Sequence, residues 1–77
     1  MINMYNTELD QNSLDEFMKE IYNRNIIVGK DFYIIDSLGK IHDVVISKIN
    51  MYGRLINVYD LLDSKYINVY PYQLKKE

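Results

Sequence analysis

From Ser13 onward the apolar positions of the chain follow two different periods. Leu14, Phe17, Met18, Ile21 and Tyr22 fall at i, i+3, i+4, i+7 and i+8, the stripe of an amphipathic helix. Ser13 and Glu16 have the spacing of a capping box, in which the serine side chain accepts from the third amide and the glutamate reaches back. Asp15 and Glu16 suit the positive end of the helix dipole and Arg24 the negative end. Asp15–Lys19 and Glu20–Arg24 add i,i+4 ion pairs. The spacing predicts a helix over 13–24, preceded by an N-terminal arm, 1–12.

After Asn25 the period changes to near two. The stretches DFYIID, KIHDVVISKIN, RLINVYDLL and KYINVYPY are rich in β-branched and aromatic residues, and each alternates in polarity. Between them lie Ser37-Leu38-Gly39, Met51-Tyr52-Gly53 and Asp63-Ser64, spacers of hairpin-turn length. Four strands joined this tightly describe an antiparallel meander. Val44 and Ile46 share a face, and Ile49 falls out of phase with them. A bulge near Ser47-Lys48 restores it to the core side. Pro71 cannot donate to a ladder, so it ends the last strand. The expectation is an α+β domain: an N-terminal amphipathic helix packed on a small antiparallel sheet over 26–74, with a tail at 75–77.

Composition narrows the chemistry. At 77 residues the chain makes one domain, close to the size at which a single core needs reinforcement. It contains no cysteine and one histidine, so disulfides, thiolate metal sites and histidine-based zinc sites are not expected. Phe32-Tyr33-Ile34-Ile35 is far shorter than a membrane span, and MINMYNTELD lacks the basic start and apolar stretch of a signal peptide. A cytoplasmic protein is the expectation. The net charge of −2 disfavours a polyanion partner and is too mild for a nucleic-acid mimic. Ile, Asn, Tyr and Lys number 11, 8, 8 and 7, all encoded by AT-rich codons, which points to an AT-rich bacterial, plasmid or phage genome.

No catalytic constellation emerges. His42 and Asp43 are strand neighbours and point to opposite faces, so they cannot orient each other. His42 is expected to face solvent and to be dispensable. Gly29-Lys30 lacks the rest of a phosphate loop. Asp60 and Asp63 lack a calcium-loop pattern, and Asp63 is expected to cap a turn. The expectation is a non-enzyme with no cofactor and no metal.

The stretch from Ile26 to Leu74 resembles the small Src-homology-3-like barrels of many short bacterial and phage proteins. Val28, Gly29, Phe32, Gly39, Ile41, Ile46, Ile49 and Leu74 occupy the positions of that pattern. The resemblance implies a four- to five-stranded barrel and implies little about activity. With no tryptophan in the chain, the proline-recognition groove of peptide-binding members has no counterpart.

The tyrosines carry the functional question. With Ile56, Val58, Ile67 and Val69 inside, alternation turns Asn57, Tyr59, Tyr66, Asn68 and Tyr70 outward as one Tyr/Asn strip. Tyrosine is favoured at protein interfaces. The leading expectation is therefore a non-enzymatic protein-binding module. Its setting is an accessory protein of a phage or mobile element that inhibits or modulates a host protein, such as a defence nuclease. The alternatives are a nucleic-acid-associated barrel that stacks bases on the tyrosines and uses Lys65, Lys75 and Lys76 for phosphates, and a structural subunit that self-associates, for example as a homodimer.

Overall fold

The computed structural model describes residues 2–76, with side chains from Ser13 onward. One helix, α1 (Ile2–Arg24), precedes strands β1 (Asp31–Ile35), β2 (Ile41–Asn50), β3 (Leu55–Asp60) and β4 (Lys65–Val69), and a 3-10 turn follows at Pro71–Gln73. The four strands pair antiparallel in chain order, β1-β2-β3-β4. No described helix is long and apolar enough to cross a membrane.

The helix begins well before the expected start. Ser13 therefore lies inside α1 and cannot act as its cap, and residues 2–12 are helical in backbone rather than an arm. No Gly or Pro occurs before Gly29, so nothing stops a formed helix from propagating toward the N-terminus. The C-terminal end matches the expectation, with a physical cause that the pattern did not reveal. Asn25 takes a left-handed φ of 59°. The amide of Ile26 donates to the Ile21 carbonyl at 3.0 Å and that of Asn25 to Tyr22 at 3.2 Å. These two bonds make a Schellman motif, and Ile21 and Ile26, its hydrophobic pair, both join the core.

The sheet follows the alternation closely. Phe32, Ile34, Val44, Ile46, Ile56, Val58 and Val69 are buried, together with Phe17, Ile26 and Leu74, and Ile21, Ile49 and Ile67 pack against them. The bulge falls where the phase change places it. Ile46 pairs with Val58 and Lys48 with Asn57, leaving Ser47 as the extra residue, and Ile49 comes back opposite Ile56. Of the helix stripe, Phe17 is buried and Leu14 and Ile21 are half-buried. Met18 and Tyr22 are 50% and 85% exposed, so the stripe is narrower than its spacing suggests. The C-terminal part of α1 contacts the 3-10 turn.

The barrel does not close. β1 and β4 are the two edges of an open sheet, and among the described residues one antiparallel bridge, between Tyr33 and Lys75, joins β1 to the segment that follows β4. Lys75 thus belongs to the sheet edge rather than to a free tail. Among the positions carrying the barrel resemblance, Phe32, Ile46 and Leu74 are core, whereas Val28 and Ile41 are 58% exposed each.

Among the described helix side chains, Ser13 onward, Phe17 is the most deeply buried, at 5% exposure. Phe17→Ala is expected to destabilise the fold by about 3–5 kcal/mol. The midpoint of urea unfolding measures it, and an unchanged midpoint would show that α1 adds nothing to the cooperative core.

Candidate functional site

Two arrangements of side chains stand out, one on each face of the sheet. On the outer face the register sets Tyr59 opposite Tyr66 and Asn57 opposite Asn68. The Tyr59 and Tyr66 rings meet edge to face, with centroids 4.9 Å apart and planes at 67°. Asn57 Nδ2 donates to Asn68 Oδ1 at 3.0 Å. Further along, Tyr70 and Tyr72 stack with centroids 5.5 Å apart. The stack follows from Pro71, which ends β4 and starts the 3-10 turn, so that Tyr70 and Tyr72 lie on either side of it. Tyr66, Tyr70 and Tyr72 are 63%, 51% and 62% exposed, while Tyr59 and Asn57 are half-buried between their neighbours. The helix leaves these rings uncovered. All five residues expected in the strip lie where alternation puts them, and Tyr72 extends it.

The lysines do not follow the tyrosines. Lys75 bridges to Tyr33 on β1, and Lys76 Nζ sits 5.4 Å from the centre of the Phe32 ring. Both lie along the β1 edge. Lys65, in register with the buried Asp60, falls on the face opposite Tyr66, whereas Lys48 pairs with Asn57 and flanks the asparagine end of the strip.

On the inner face lies the main departure from expectation. His42 is 7% exposed and belongs to the core face with Val44 and Ile46, not to solvent. Its Nε2 is 2.8 Å from Asp36 Oδ2 and its Nδ1 is 2.8 Å from Asp60 Oδ2. Asp63 Oδ2 stands 3.8 Å from the same Nδ1. Each aspartate divides its oxygens between two tasks. Asp36 Oδ1 accepts from the amides of Leu38 and Lys40, both at 2.9 Å, and so shapes the β1–β2 turn. Asp60 Oδ1 accepts from Leu62 at 3.0 Å and Asp63 at 3.2 Å, and so shapes the β3–β4 turn. Asp60, not Asp63, is therefore the capping residue of that turn.

Donation from both ring nitrogens requires the imidazolium form. The Asp36 hydrogen bond, then that of Asp60, raises the His42 pKa above its ordinary 6.5 against the cost of burial. The His42 bond, followed by the Lys40 amide, lowers Asp36 below 3.8. Burial pushes Asp60 upward, but the Asp63 amide, the His42 bond and the Leu62 amide outweigh it and leave Asp60 lowered. With both nitrogens occupied by carboxylates, His42 has no free atom to offer a substrate as a general base.

The pairing of His42 with Asp36 and Asp60 is across six and eighteen positions, so comparison with its sequence neighbour Asp43 could not find it. The signal was present nonetheless: positions 42, 44 and 46 share one face, and Val44 and Ile46 had been assigned inside. No protein-family model, curated protein or solved structure matches this chain.

A raised histidine and two lowered aspartates set opposite limits on stability. The histidine contribution is complete below about pH 6.5 and is lost as pH rises through its raised value. The aspartate contributions are complete above about pH 4 and are lost as pH falls through their lowered values. The melting temperature in buffer freed of divalent ions is expected to peak between these limits. In His42→Gln it is expected to be lower and to lose the alkaline decline, contrary to a dispensable surface residue. A flat profile in the native chain would refute the clamp.

Proposed function

We propose that this chain is a non-enzymatic module that binds another protein through the outer face of β3 and β4. The observation that carries the reading is the pairing of half-buried Tyr59 with exposed Tyr66 and of Tyr70 with Tyr72, both exposed. Large rings held against one another lose little further freedom when a partner covers them, and buried tyrosines anchor many interfaces. Asn57 and Asn68 supply hydrogen-bonding groups beside the rings, their mutual bond limiting their motion. The engagement of both nitrogens of the single histidine supports a non-catalytic role. The net charge of −2 argues against base stacking, which goes together with neutralisation of phosphates by basic side chains. The narrower reading, a phage or mobile-element accessory protein that inhibits a host enzyme such as a nuclease, rests on composition alone.

Tyr66→Ala removes the most exposed ring of the paired set and leaves the core face intact. Capture from a lysate of the source organism, followed by titration of the retained protein, is expected to show a loss of ~2 kcal/mol or more of binding. The affinity of the native chain is expected to change little between low and physiological salt. Tight oligonucleotide binding that falls steeply with salt and vanishes in Tyr66→Ala would replace this reading with the nucleic-acid one. Concentration-dependent dimerisation abolished by the same substitution would replace it with self-association.

A further inference from the structure

The carboxylates around His42 are more numerous than the imidazole needs. Three of them, Asp36, Asp60 and Asp63, converge on one ring, and among the described residues none forms an ion pair with a lysine or arginine. Lys65, opposite Asp60 in the register, is exposed and is not paired with it. The cluster thus keeps a negative excess even when the imidazole is charged. It is also shaped at one end by fixed bonds and open at the other. Asp60 is 1% exposed, whereas the Asp63 side chain is 47% exposed and forms the outer wall.

We propose that His42 Nδ1, Asp60 Oδ2 and Asp63 Oδ2 form a binding site for one divalent transition-metal ion, of the zinc or manganese class. The three atoms lie within 4.8 Å of one another. Metal–ligand bonds of about 2.0–2.2 Å place neighbouring ligands roughly 3–3.5 Å apart, so the Nδ1–Asp60 pair, now 2.8 Å apart, opens by about half an ångström and the exposed Asp63 swings inward by about an ångström. The supporting bonds already exist. Asp36 accepts from Nε2 and keeps a proton there, so Nδ1, which faces Asp60, is the nitrogen that gives up its proton to the ion, the carboxylate–histidine–metal arrangement. The Leu62 and Asp63 amides hold Asp60 Oδ1 and leave Oδ2 aimed at the ion. An imidazole among the ligands favours a transition metal such as zinc over calcium, which takes oxygen donors. Water completes the coordination on the solvent side. The ion replaces the Nδ1 proton and ties the β3–β4 turn to β2, so its role is structural. This inference is independent of the tyrosine-face reading.

Asp63→Asn tests it without disturbing the core, because that side chain is exposed and shapes no turn. Isothermal titration of zinc into the native chain is expected to show one saturable site, weakened at least tenfold in Asp63→Asn at an unchanged metal-free melting temperature. In ¹⁵N spectra zinc is expected to shift His42 Nδ1 while Nε2–H persists. Calcium is expected to bind at least tenfold more weakly than zinc. Absence of saturation below millimolar zinc, equal zinc affinity in Asp63→Asn, coordination through Nε2, or calcium binding as tight as zinc would each overturn the proposal.

Discussion

The buried carboxylate of Asp60 is the constraint around which this small domain is arranged. A carboxylate at 1% exposure in a core of valine and isoleucine is tolerable only when every lone pair is satisfied. Two amides of its own turn take one oxygen, and His42 takes the other. The histidine then carries the same demand across the sheet to Asp36, whose second oxygen organises the β1–β2 turn. No buried side-chain nitrogen or oxygen among the described residues lacks a partner. The two hairpin turns at this end are joined through a single ring, which matters in a chain without disulfides and with a core of about ten residues.

The other end of the sheet is held by packing. Ser47 bulges out, β2 bends, and Ile49 is delivered to Ile56 and so to Val69 beyond it. Leu74, at 2% exposure, joins the same core, and the Arg24 guanidinium at the end of the helix donates to its carbonyl at 3.5 Å. One end is thus specified by buried polar bonds, while at the other the polar bonds of Asn50 and Arg54 stay on the exposed β2–β3 turn and the buried contacts are apolar. The division is useful in so small a domain, because polar bonds fix geometry while apolar burial supplies most of the stability.

Much of this was legible in the sequence, and for definite reasons. Period-two alternation names the face of each strand residue, so the four strands, the bulge at Ser47 and the outward Tyr59, Tyr66 and Tyr70 all followed from it. What alternation cannot show is whether the edges of a sheet meet, and the expected barrel closure reduced to the single Tyr33–Lys75 bridge. The capping box at Ser13 misled because its residues are equally at home inside a longer helix, where a serine can simply face solvent. His42 was missed for a different reason. Its identity as a polar residue was weighed above its phase, although its phase with Val44 and Ile46 was unambiguous.

The polar clamp and the tyrosine face are not separate features, because β3 carries both. Tyr59 immediately precedes Asp60, and Tyr66 immediately follows Lys65, the register partner of Asp60. The Tyr59–Tyr66 pair is therefore the first outward pair beyond the turn that Asp60 organises. Hairpins fray from poorly held ends, and separation there would part the two rings and soften the surface they present. Anchoring Asp60 through His42 prevents that by fixing the inner side of the same strand whose outer side displays the ring. The alternation of a β-strand makes this economical: a buried acid at one position holds a half-buried aromatic, packed on the exposed Tyr66, at the next, and rigidity acquired in the core is delivered to the surface one residue away.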